Sequence, residues 1–118
     1  PQATGDDRVR MSRVVLVGDH AALADAFAAA GAVVETVPAG ADATQLTAAA
    51  IAEVELLVLT TMADATTAIV ARELHPQLRV VAYSGESLPP VATTQVDLAV
   101  DPALIGPDAF VAAWADEA

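Results

Sequence analysis

Short runs of β-branched and aliphatic residues alternate along this chain with longer alanine-rich stretches whose bulky apolar residues recur at helical spacing. That alternation predicts an α/β fold with a parallel sheet, because each parallel connection needs a crossover, usually a helix. The first run, Arg13–Val17, is continuously apolar after its arginine, as a strand buried on both faces requires. Further strands are expected at Val33–Val37, Val54–Leu59, Arg79–Tyr83 and Asp97–Val100. Leu23, Ala26, Phe27 and Ala30 fall at i, i+3, i+4 and i+7, which predicts a first helix over 21–30. Gly31 then stands where a helix end favours a left-handed residue. A short helix over 44–51, capped by Asp42 or Thr44, and one over 64–74, stopped by His75-Pro76, follow. Another short helix is expected from Pro89-Pro90. The last begins at Gly106-Pro107-Asp108 and carries Phe110 and Trp114 four residues apart. Five strands with a helix between each pair make a single open sheet of order 2-1-3-4-5, helices on both faces.

Length and composition narrow this picture. The chain has 118 residues, which suits one domain. Residues 1–10 are polar and read as a mobile tail or upstream extension; Met11-Ser12-Arg13 resembles a natural start, and 11–118 forms the domain. No signal peptide is expected at the polar N-terminus, and no apolar run approaches the roughly 18 residues of a membrane span, so a cytoplasmic protein is expected. Cysteine is absent, which excludes disulfides, thiolate metal sites and cysteine nucleophiles. Every basic residue is arginine, which excludes a phosphate-loop lysine and Schiff-base chemistry. Sixteen acids against five arginines give a net charge of −11, a surface that repels nucleic acid backbones. Alanine supplies 29 residues and aromatics only 3%. This acidic, lysine-free, small-residue composition resembles proteins of halophilic archaea. At about 1 M salt the screening length falls to roughly 3 Å, so such a surface no longer repels itself.

The fold itself nominates one place for a ligand. In an open α/β sheet it lies beyond the carboxyl ends of the strands, at the reversal between strands 1 and 3. Gly18, Asp19, His20, Thr60, Thr61, Ser84, Gly85 and Asp101 fall there. Asp19 is also placed to cap the first helix, and Thr60-Thr61 to cap the third or to touch a phosphate. His20 is a candidate base or ligand, or a hydrogen-bonding residue at the helix start. His75, at a helix C-terminus, suits the dipole there. Two histidines so placed assemble no Ser-His-Asp triad and no metal site.

Residues 13–104 resemble the TrkA-N type nucleotide-binding domain of potassium-conductance regulators. The likeness is carried by Ala41-Asp42-Ala43-Thr44, Leu46 with Ala49-Ala50-Ile51, Leu56 through Thr61, and Ala71 through Pro76. More narrowly, the chain looks like small haloarchaeal proteins reduced from that domain and sometimes labelled CTP synthetase. That chemistry is excluded by the missing cysteine and lysine. The resemblance implies a Rossmann-like or flavodoxin-like fold and a nucleotide ligand. Where the family has G-x-G-x-x-G, however, this chain reads Gly18-Asp19-His20-Ala21-Ala22-Leu23, and Pro38 replaces the acid that would hold a ribose. Response-regulator receivers form a second resemblance, with Gly18-Asp19 at their acidic pair, Thr60 at the phosphoacceptor aspartate, Ser84 at the strand-4 hydroxyl and Asp101-Pro102 at the Lys-Pro. The acceptor and the lysine are gone, which excludes phosphotransfer by that route.

Two functions follow as expectations: a non-catalytic nucleotide-binding or regulatory domain with a degenerate glycine motif, or an interaction module with a vestigial pocket. A homodimer is expected, because Val91, Leu104, Ile105, Phe110 and Trp114 give one flank more apolar bulk than an alanine-rich helix covers; alternatively Phe110 and Trp114 lie inside the monomer. The composition also generates a direct test. Chemical denaturation should give a higher midpoint above about 1 M KCl than in dilute buffer, because salt screens the repulsion among the acidic groups. Equal midpoints would show the acidic surface to be incidental.

Overall fold

A computed structural model describes residues 13–18, 20–38, 40–60, 65–84 and 96–117. The tail at 1–10, the short helix expected from Pro89-Pro90 and Val91 lie outside the described residues. The chain runs β1 (Arg13–Val17), α1 (Ala21–Ala29), β2 (Val33–Val37), α2 (Ala43–Ala48), a 3-10 turn (Ile51–Glu53), β3 (Leu56–Leu59), α3 (Ala65–Leu74), β4 (Arg79–Tyr83), β5 (Leu98–Val100) and α4 (Pro107–Glu117). All strand pairs are parallel and the order is β2-β1-β3-β4-β5, the expected α/β sheet.

Alternate residues of the central strands divide between two cores, as the two-residue period of a strand demands. Val14, Leu16, Leu56, Val58, Val81 and Tyr83 face α1 and α4, where they meet Leu23, Phe27, Phe110 and Trp114. Val15, Val17, Leu57, Leu59 and Val80 face the other way, onto Leu46, Ala68, Ala71 and Leu78. The first core holds the bulky rings; the second closes over alanines, which let α3 approach the sheet. Phe110 and Trp114 are 4% and 7% exposed, so both belong to the monomer core and are withdrawn from the surface expected to drive dimerisation. Each carries more apolar area than any alanine of that face, and burying it within the monomer is the stronger solution.

Several boundaries shift by one to three residues, and three of the shifts have a clear local reason. The second helix ends at Ala48 because Ala50 takes a left-handed conformation (φ 59°) and the chain turns into the 3-10 segment that buries Ile51. Asp42 caps α2 with a full capping box: its side chain accepts from the Gln45 amide and the Gln45 side chain accepts from the Asp42 amide. Val54 precedes β3, its amide bonded to Ile51, so the strand begins at Leu56. The edge strand β5 begins after Asp97, whose carboxylate takes the Val80 amide at 2.8 Å and the Arg72 guanidinium, fastening that edge to β4 and α3.

Candidate functional site

Gly18, Thr60, Ser84 and Asp101 each follow the last residue of a strand, and the parallel register sets those ends side by side. With His20 they form one row along the carboxyl edge of the sheet. Asp19, Thr61 and Gly85, expected in the same row, lie outside the described residues.

The described members of this row bind their own fold. Gly18, with φ at 96°, turns the chain out of β1 and donates its amide to the Val37 carbonyl at 2.9 Å. His20 is the N-cap of α1: its Nδ1 accepts from the Leu23 amide at 3.1 Å. His20 is thus the hydrogen-bonding residue at the helix start, its unprotonated ring nitrogen serving as the acceptor, while Asp19, the other capping candidate, lies outside the described residues. Thr60 donates its hydroxyl to the Val17 carbonyl at 2.6 Å, and its amide donates to the same oxygen at 3.1 Å. Thr60 thus ties the ends of β1 and β3 to each other. Asp101 accepts the Ala103 amide at 2.9 Å, folding the loop after β5 into a tight turn. Ser84 donates its amide to Val100 at 3.1 Å. His75 lies apart from this row, its Nε2–H donating to the Val54 carbonyl at 3.1 Å, a structural bond beyond the dipole interaction expected of it.

The residue that sequence reasoning passed over is Tyr83. It is 1% exposed, stacks on Phe110 with ring centroids 5.1 Å apart and meets the His20 ring edge-on at 5.5 Å. Its hydroxyl donates to the Ile105 carbonyl at 2.7 Å, and burial pushes that hydroxyl above its ordinary pKa of 10.0. The available signal was its being the sole tyrosine of the chain, at the end of a buried strand. Among the described residues no three His, Asp or Glu side chains gather as a metal site, and no helix is long and apolar enough to cross a membrane.

Unused apolar surface lies on the flank formed by β5 and α4. A groove of about 80 Å³ runs between Leu98, Ile105 and Trp114, with Arg79 its only charged lining residue among the described residues. Beside it Leu104 is 82% exposed, while Leu98 and Ile105 are about half-covered. A second, polar cleft lies at the amino end of β4 between Arg72, Gln77 and Asp97. Neither cavity is lined by Gly18, His20, Thr60, Ser84 or Asp101.

A family model described as a family of unknown function, DUF7126, matches residues 13–114. No curated protein matches the chain. Among solved structures, an orphan response regulator of H. pylori is similar at 14% identity, with a TM-score of 0.67 over 87% of this chain and 92% of that one. A pilus assembly-related protein from Burkholderia pseudomallei is similar at 17% identity, with a TM-score of 0.63 over 92% and 91%. At these identities the likeness establishes the fold alone, and of the two expected resemblances it is the receiver that the response-regulator structure shares.

The cap at His20 is open to measurement. His20→Ala should lower stability by about 1 kcal/mol in urea denaturation, the usual cost of a lost N-cap, whereas His20→Asn should retain most of it. An unchanged midpoint in the alanine variant would remove the cap assignment.

Proposed function

The chain belongs to the DUF7126 family of unknown function, and we propose that it is a receiver-like protein–protein interaction module whose carboxyl-end pocket is vestigial. One contrast carries the reading. His20, Thr60 and Asp101 already cap a helix, bridge two strands and fold a loop, while the β5–α4 flank keeps Leu98, Leu104 and Ile105 in water. Each of these side chains already commits one hydrogen bond to the fold, so a ligand would meet groups held in place for a structural task. An exposed apolar cluster has everything to gain from a partner. The names of the structural neighbours, a response regulator and a pilus assembly-related protein, fit a domain that acts through other proteins.

Nucleotide binding, implied by the TrkA-N resemblance, is the rival this reading must exclude. A thermal-shift panel of NAD(H), NADP(H), ATP, AMP and cyclic nucleotides in molar KCl distinguishes them. A bound nucleotide at 100 times its dissociation constant would add about 2.7 kcal/mol of stability. We expect a flat panel; a reproducible rise with any of these ligands would overturn the vestigial pocket.

A further inference from the structure

Resting on that reading, we infer that the partner of the β5–α4 flank is a second copy of this chain, the Leu104 of each copy seated in the groove of the other. The flank carries both halves of such a contact. Its groove lies between the edge strand β5 and α4, floored by Val81, Val100 and Trp114 and walled by Leu98, Ile105 and Ala113. Its projection is Leu104, 82% exposed, on the loop that joins the same two elements. A surface bearing a cavity and an apolar side chain side by side is self-complementary about a twofold axis, where each contact is made twice.

The projection is held rigid. The Leu104 and Ile105 amides both donate to the Asp101 carbonyl at 3.0 Å, the Asp101 carboxylate takes the Ala103 amide, and the Tyr83 hydroxyl fixes the Ile105 carbonyl from beneath. A leucine presented on an ordered loop loses little conformational freedom on docking, so more of its burial appears as affinity.

Charge sets the orientation. Arg79 opens β4, whereas the Leu104 loop follows the carboxyl end of β5, so in parallel strands the two lie at opposite ends of the flank. Four residues of strand separate those ends by roughly 13 Å. An antiparallel pairing therefore carries Leu104 of one copy toward Arg79 of the other. Asp101 and Asp108 stand three residues before and four after Leu104, and these acids approach Arg79, the one charged residue among the described lining of the groove. That local complementarity offsets the repulsion between two chains of charge −11. The pairing also brings β5, the edge strand of each sheet, to the contact.

Light scattering of the full chain in molar KCl, from micromolar to millimolar, should give a mass near twice 11.9 kDa at the upper end. Leu104→Glu should return it to monomer while its denaturation midpoint, measured under dimer-free dilution, stays that of the wild type. Arg79→Glu and Asp108→Arg should each weaken pairing at least tenfold, and the double variant should recover most of the loss, since each acid would then face a cation again. A monomer at every concentration overturns self-pairing; together with a flat nucleotide panel it leaves the module reading intact with a different, basic partner. Pairing untouched by Leu104→Glu overturns this face, and a double variant no tighter than its parents overturns the antiparallel register.

Discussion

The whole of this architecture leans on one aromatic stack. The chain has four aromatic residues, and all of them join: Phe27 of α1 meets Trp114 and Phe110 of α4 edge-on at 5.4 and 6.0 Å, and Phe110 stacks on Tyr83 of β4 at 5.1 Å. The edge of His20 extends the line to the turn after β1. In a core otherwise made largely of leucine, valine and alanine, these rings are the largest side chains, each pair contributing about 0.5–1.5 kcal/mol beyond its burial. Because the stack spans α1, α4 and the sheet, it decides how the last helix sits, and through the Tyr83 hydroxyl it decides where the loop at Ile105 is held. Loss of one ring would loosen both the helix and the surface the loop presents.

That constraint divides the two ends of the molecule. At the carboxyl edge the Thr60 hydroxyl ties the end of β3 to the end of β1, and the His20 ring carries the aromatic line to the same edge. On the flank the same stack pulls Phe110 and Trp114 inward and leaves Leu98, Leu104 and Ile105 outside. The buried rings and the exposed apolar flank are therefore consequences of one packing arrangement. The sheet has the receiver-like strand order, and the polar groups described at its carboxyl edge hydrogen-bond within the fold.

Much of this was legible in the amino-acid order. The bounds of β1, β2 and β4 follow directly from uninterrupted β-branched and aliphatic runs, since nothing competes with strand there. The ends of α2, β3 and β5 did not, because each is set by a tertiary demand: the left-handed Ala50, the burial of Ile51, and the Asp97 carboxylate reaching Val80. The row of residues at the carboxyl edge was also readable, since topology alone places it. The role of His20 at the helix start was among the readings its position allowed, and it holds the cap. The role of Thr60 was not legible, because no periodicity announces that a threonine hydroxyl will cross to a neighbouring strand. Phe110 and Trp114 posed the opposite problem: helical spacing showed that they share a face, but only the position of Phe27 and Tyr83 determined that the face is inward.

The claim that the aromatic stack positions the flank is tested most directly by native-state hydrogen exchange of Tyr83→Phe. The substitution keeps the ring and removes only the bond to the Ile105 carbonyl, a change of about 1 kcal/mol. The account predicts faster exchange at the Leu104 and Ile105 amides, with the central-strand amides of Val15 and Val58 changed only by the loss in global stability. Unchanged exchange at Leu104 and Ile105, or an equal acceleration everywhere, would contradict it.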